Sequence, residues 1–280
     1  MDLTPRPPES LAELTAAYEQ TVSAMVELAR ELGAGEEDRP TDCPGWTVGD
    51  QVRHVESIES ALAGEPAPDV DVGHLPHVRH DFGARVERWL QSRRGRPLDA
   101  VAAHLEELRA RRTAHLRDPA TSGEDPTTGP FGPTTEAALT GVRTFDIWVH
   151  EQDLREALGQ PGDLDTPAAA NAVARVLATL PRVAARQADL PAGAAVVVEV
   201  TGPVTGRAGA RVVERDGARH GIPLEGEEPT VAPEVTAVAL STRDLTRLAA
   251  GRRRADELTI EVTGDAEVAR RLLDAWVVTP

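Results

Sequence analysis

A change of hydrophobic period part-way along the chain limits what it can fold into. Up to about residue 160, apolar residues recur at spacings of three or four, or their sums. They run Leu11, Leu14, Tyr18, Val22, Met25, Leu32; then Val48, Val52, Val55, Ile58, Leu62; then Leu98, Val101, Leu105, Leu108, Leu116. That recurrence marks helices with one apolar face. Beyond about residue 190 it gives way to AAVVVEV (194–200), ARVVE (210–214) and EVTAVAL (234–240), β-branched runs separated by turn residues. Such a chain folds as helices first and a sheet afterwards, an α+β protein whose sheet is antiparallel or mixed.

Punctuation residues sharpen the boundaries. Ser10 with Glu13, and Thr47 with Asp50, form capping boxes that start the first two helices. Gly33 and Gly35 stop the first, and Gly64 with Pro66 stops the second. Further helices are expected over 79–91, after Pro97, and over 134–158, where Gly159, Pro161 and Gly162 end the run. Residues 66–76 and 121–133 read as loops because they are rich in Gly, Pro, Asp and Thr. Four long helices joined by loops describe a bundle. A helix over 167–187 leads into the second half, where Ser241 and Asp244 cap another; a strand over 258–262 and a helix from Asp265 to Trp276 close the chain. The expected domains are therefore 1–162 and 163–280.

Charge and cysteine usage exclude several classes of function. Thirty basic residues, all Arg, face 46 acidic ones, for a net charge of −16. A chain this acidic repels a phosphate backbone, and the run Arg252–Arg254 is too short to offset that, so no nucleic-acid partner is expected. The single cysteine, Cys43, allows neither an internal disulfide nor a thiolate metal cluster. No apolar run is long enough for a membrane span, and the opening MDLTPRPPES lacks a signal core. The expected location is the cytoplasm, with no membrane partner and a monomeric or homodimeric state.

The segment RTFDIWVHEQDLREALG (143–159) carries the chemistry. On a helix, Asp146 and His150 stand on one face a turn apart, where two donors can close on one ion. Arg143 and Asp153 continue that polar line between the apolar Phe145, Ile147, Trp148, Val149 and Leu154. Polar groups set in so much apolar surface need partners, and a metal supplies one. His54, at the edge of the second helix's apolar stripe, is the third candidate ligand. Two His and one carboxylate make an open catalytic site; zinc is the default ion, and non-haem Fe(II) uses the same set. An Asp–His pair at this spacing also occurs as a weak surface ion pair, so spacing alone does not decide.

Two stretches resemble the mycothiol-dependent maleylpyruvate isomerases of the DinB-like superfamily. TDCPGWTVGDQVRHVESIESAL (41–62) is similar to that family's Cys-Pro-x-Trp-Thr loop and ligand-bearing helix, and RTFDIWVHEQDLREAL (143–158) to its acidic-x-x-x-His helix. The tail LTIEVTGDAEVARRLLDAW (258–276) looks like the small sterol-carrier-like domain that follows the bundle. The resemblance implies a DinB-like four-helix bundle followed by that smaller domain, with His54, Asp146 and His150 as metal ligands. It also implies mycothiol as thiol cosubstrate and a C-terminal arginine in the reaction, for which Arg252 is the first candidate, ahead of Arg207 and Arg211. The family's well-known members carry Glu where this chain has Asp146, which is one methylene shorter.

A thiolate held at a metal could add to an activated alkene, allow rotation and leave, which is cis–trans isomerisation, or it could remain on the product as S-transfer. The partners are then a small electrophilic substrate and a low-molecular-weight thiol. The competing readings are metal-assisted hydrolysis and a non-catalytic metal-containing binding or regulatory module. Cys43 reads as a packing thiol, Trp46 and Trp148 as core or pocket wall, and His104 and His115 as helix-surface residues. His74, His77 and His80 form a ladder interrupted by Pro76 and are set aside as a second site.

Overall fold

The computed structural model describes residues 3–73, 75, 78, 81–224 and 235–279. The chain divides into two compact units, Pro8–Gly162 and Asp163–Thr279, and the segment through Pro7 belongs to the second. That last point departs from the expected division at 162. An antiparallel bridge between Thr4 and Thr205, with Thr4 N–H donating to the Thr205 carbonyl at 2.9 Å, ties the N-terminal segment to the sheet.

The first unit contains α1 (Leu11–Glu31), α2 (Val48–Leu62), α3 (Asp81–Arg93), α4 (Leu98–Leu116), the hairpin β1 (Pro126–Gly129) and β2 (Gly132–Thr135), and α5 (Glu136–Leu158). Both expected capping boxes are present, at Ser10 and Thr47. Helices α1 and α2 each pack on α4 and α5, while α3 lies against α2. Tyr18, Val22, Met25, Val52, Val55, Val101, Leu105, Ile147 and Leu154 fill the centre. The helix read as 79–91 is seen over Asp81–Arg93; residues 79 and 80, like His74 and His77 of the histidine ladder, lie outside the described residues.

Residues 121–133, read as loop, contain most of a hairpin. Thr127 and Thr128 pair with Thr134 and Pro133, and Gly132 turns the chain at φ +114°. The pair is two-stranded and half-exposed, so no apolar alternation betrays it.

Helix α2 departs most from a surface helix. Asp50, Gln51, Arg53, His54, Glu56, Ser57, Glu59 and Ser60 are all buried on it. Each buried carboxylate has charged or hydrogen-bonding partners, as burial requires. Glu56 accepts from Arg93 at 2.9 Å and Arg96 at 2.8 Å, and Asp50 accepts from Arg94 at 3.0 Å, which pins the end of α3 and the turn after it onto α2. His104, read as a surface residue, instead lies 2.6 Å from Glu56.

The second unit holds α6 (Pro167–Ala178), the short turn α7 (Leu180–Arg182) running into a π turn (Val183–Gln187), β3 (Ala195–Thr201), β4 (Thr205–Arg215), β5 (Ala218–Pro223), β6 (Val235–Leu240), α8 (Thr242–Ala249), β7 (Ile260–Thr263) and α9 (Ala266–Ala275). The sheet order is β5-β4-β3-β6-β7, mixed because β3 and β6 run parallel. Strand β5, ARHGIP, went unread because it lacks an apolar run. The strand read as 258–262 is seen over Ile260–Thr263. Among the described residues, no helix is long and apolar enough to cross a membrane.

Candidate metal centre

The site lies within the first unit, between α2 and α5. Thr47 caps α2 so that His54 falls two turns into it, and Thr135 caps α5 so that Asp146 and His150 share one face. One donor atom from each of the three lies within 4.8 Å of the other two. His54 Nε2 stands 3.6 Å from Asp146 Oδ2, and His150 Nε2 stands 3.7 Å from Asp146 Oδ1. Those gaps exceed hydrogen-bond reach. They match donors that share an ion, since two ligand bonds of about 2.0–2.2 Å at a tetrahedral angle separate the donors by roughly 3.4 Å. His54 Nδ1 is buried with no hydrogen-bond partner, so this imidazole lacks the compensation a buried polar ring needs. The donor set, two imidazoles and a carboxylate converging on one point, fits a divalent cation.

His150 is better prepared. Its Nδ1 lies against Gln51 Oε1, with Asp153 Oδ2 at 3.4 Å. Gln51 is itself oriented, its amide donating to Thr41 Oγ1 at 2.8 Å. A proton held on Nδ1 by Gln51 leaves the lone pair of Nε2 facing Asp146, the tautomer a metal ligand needs. Asp146 Oδ2 receives Arg143 Nη1 at 2.6 Å, and Arg143 Nε donates to Glu59 at 2.8 Å. Tyr18 donates to the other Glu59 oxygen at 2.7 Å.

These contacts set the charges. Burial and the neighbouring His150 ring push the His54 pKa down to about 4, with Asp146 opposing. Burial also disfavours a charged His150, but the Asp146 and Asp153 carboxylates outweigh it and raise its pKa. Burial alone would raise the Asp146 carboxyl; the Arg143 guanidinium and the two histidines overcome it and hold the group well below the usual range. At neutral pH the site therefore presents an ionised carboxylate and a neutral His54.

Trp46 forms one wall, its ring centroid 4.8 Å from that of His54 and 5.7 Å from that of His150. Its Nε1 donates to the buried Glu87 at 3.3 Å. Trp148, by contrast, is core, at 1% exposure. The side chain of Asp146 is 33% exposed while both histidines are buried, so Asp146 marks the open side. Arg252 belongs to the second unit, in the turn after α8, where its guanidinium donates to the Ala250 carbonyl at 2.9 Å. Arg207 lies 3.6 Å from Glu199 on the neighbouring strand, and Arg211 reaches the Gly193 carbonyl at 3.5 Å.

Gln51, Glu59 and Tyr18 escaped the sequence reading. The available signal was α2 itself: DQVRHVESIES carries polar residues around its whole circumference, which a helix against solvent does not need.

Comparison with known proteins identifies the family. The family model of the mycothiol maleylpyruvate isomerase N-terminal domain matches residues 4–155, and that of the corresponding C-terminal domain matches 167–271. The chain belongs to the mycothiol-dependent maleylpyruvate isomerase family. Two uncharacterised proteins from two strains of Mycobacterium tuberculosis are each 29% identical over 150 residues, covering 53% of this chain and 69% of theirs. Crystal structures of a mycothiol-dependent maleylpyruvate isomerase and of a mutant of it superpose with TM-scores of 0.53 and 0.55 at 16% identity, covering 92% of this chain and 95% of theirs. At that identity the likeness is one of fold.

Proposed function

We propose that this chain is a divalent-metal enzyme that uses a low-molecular-weight thiol, mycothiol by family, as nucleophile on a small electrophilic substrate, with His54, Asp146 and His150 as the metal ligands. The observation that carries the reading is the convergence of those three donors within 4.8 Å, with the acceptor Oε1 of Gln51 against His150 Nδ1. Zinc is the default ion for two histidines and a carboxylate. When bound, it would supply Lewis acidity, drawing a thiol whose free pKa is near ~8.5 into its thiolate form at neutral pH.

The chain's own residues do the rest. Gln51 and Asp153 keep the His150 proton on Nδ1, away from the reacting side. Arg143 fixes the Asp146 carboxylate, and Trp46 walls off both imidazoles and excludes water from that flank. The thiol proton is released to solvent water on the exposed side of Asp146. The sulfur lone pair then adds to the alkene carbon as the π pair moves onto the conjugated carbonyl. Rotation about the resulting single bond, followed by expulsion of the thiolate, gives cis–trans isomerisation; retention of the C–S bond with protonation of the carbon gives S-transfer.

The test is turnover of an activated cis-alkene such as maleylpyruvate by metal-loaded protein, with and without mycothiol. Turnover that requires the thiol is expected. Equal turnover without it, or none under either condition, would refute the thiol role.

A further inference from the structure

Arg143 is almost wholly buried, at 2% exposure, and stands between two carboxylates. Its Nε donates to Glu59 Oε1 at 2.8 Å and its Nη1 to Asp146 Oδ2 at 2.6 Å. Glu59 is as deeply buried, and its remaining oxygen accepts the Tyr18 hydroxyl at 2.7 Å. The chain of contacts Tyr18, Glu59, Arg143, Asp146 thus runs from α1 through α2 to α5 and ends on a candidate ligand. A pure stability role explains this poorly. Desolvating an Arg–Glu pair usually costs as much as their attraction returns, and an apolar pair of the same volume would serve as well.

Its position suggests a different use. The single bond from Arg143 Nη1 occupies one lone pair of Asp146 Oδ2, so Oδ1 and the remaining lone pair of Oδ2 are what the carboxylate can offer an ion. The same guanidinium would repel a divalent cation a few ångströms away. Glu59 cancels that charge from the far side. We propose that Glu59 and Arg143 are positioning residues for the metal site. Arg143 orients Asp146 by occupying one lone pair of Oδ2, and Glu59 neutralises Arg143 so that this restraint does not expel the cation. The proposal rests on the metal reading above.

The test measures Zn2+ affinity of the full-length protein by competition with a chromophoric chelator, and the visible absorption of its Co2+ form. Glu59→Gln touches no ligand but leaves Asp146 as the sole carboxylate bound to Arg143, where the guanidinium competes with the cation for its charge, so Zn2+ affinity should fall at least about tenfold. Adding Arg143→Met removes the stranded cation and should restore most of that affinity, while the Co2+ bands shift because Oδ2 is released. Arg143→Lys keeps the charge but replaces the two separated donors Nε and Nη1 with one shorter-reaching point charge, so it should shift the Co2+ bands and retain most of the affinity; this variant serves even where Glu59→Gln fails to fold. A structural role predicts instead that the double variant binds more weakly than either single one and that the Co2+ bands of folded Arg143→Lys stay put; either result overturns the proposal. A wild-type protein that takes up no metal overturns the metal reading and this proposal together. A wild type that binds Zn2+ while Glu59→Gln binds it equally overturns the proposal alone.

Discussion

Gln51→Leu tests whether the site is organised by its supporting contacts or only by its three donors. Gln51 is fully buried, its Oε1 against His150 Nδ1 and its Nε2 donating to Thr41 Oγ1 at 2.8 Å. Leucine has nearly the same volume, so packing is kept and only the acceptor and donor are lost. Thr41 tolerates that loss, because its hydroxyl still donates to the Trp46 carbonyl at 2.9 Å and accepts from Cys43 N–H at 3.2 Å. His150 tolerates it less well. Its Nδ1 is left with Asp153 Oδ2 at 3.4 Å, a long contact that only partly replaces the lost acceptor. Removing the group that orients a ligating histidine generally lowers metal affinity by about 10–100-fold. With Asp153 as a partial substitute the lower end applies, a rise in Zn2+ Kd of about tenfold, or about 1.4 kcal/mol. Chelator competition reads the affinity, and nitrogen chemical shifts of His150 in the metal-free protein read the tautomer. The expected pair of results is weaker binding together with a mixed tautomer population in place of a single Nδ1–H form. An unchanged Kd with a scrambled tautomer would refute the idea that Gln51 prepares the ligand; an unchanged tautomer would refute the premise itself.

The triad itself is tested by elemental analysis, which should find about one divalent ion per chain, lost when His54, Asp146 or His150 is replaced singly by Ala; retention in any of the three removes that residue from the ligand set. Proton NMR of the metal-free protein should show His54 titrating near pH 4 and His150 above its ordinary 6.5, and two rings titrating together near 6.5 would contradict the electrostatics of the site. Since the folded pKa of His54 lies below its unfolded value, the unfolded chain binds more protons between the two. His54 therefore costs stability as pH falls from about 6.5 to about 4, by roughly 3 kcal/mol at the bottom, while the raised His150 contributes with the opposite sign. Arg252→Gln should lower thiol-dependent turnover and leave metal content unchanged; full turnover would dismiss Arg252 from the reaction.

The α-helical half was legible because its signals are local and redundant. The capping residues Ser10 and Thr47, the glycine stops and the stripe from Val48 to Leu62 each depend on residues within a turn or two of one another, and each points the same way. The three converging donors were candidates too, Asp146 and His150 from helical spacing together with the polar line on an apolar helix, and His54 from its place at the edge of the stripe. What could not be read is whatever depends on pairing across the fold. Strand β5 places Arg219, His220 and Gly221 opposite Glu214, Val213 and Val212 of β4, where a strand pattern favours Val or Ile, and its strand character comes from that ladder. The hairpin β1–β2 is invisible for the same reason.

The supporting residues of the site pose that problem in a sharper form. Gln51 meets His150 across 99 positions of sequence, Tyr18 meets Glu59 across 41 and Glu59 meets Arg143 across 84. No local window contains either half of such a pair together with its reason for being there. Yet each leaves an indirect trace, because a buried polar atom must be matched and a helix at the centre of a bundle can hide polar side chains only if other helices supply the partners. The polar circumference of α2 and the polar line on α5 are two sides of that requirement. A sequence with one such helix would suggest a surface element; a sequence with two helices of this kind, in a bundle with an otherwise apolar centre, implies that they face each other, as α2 and α5 do here.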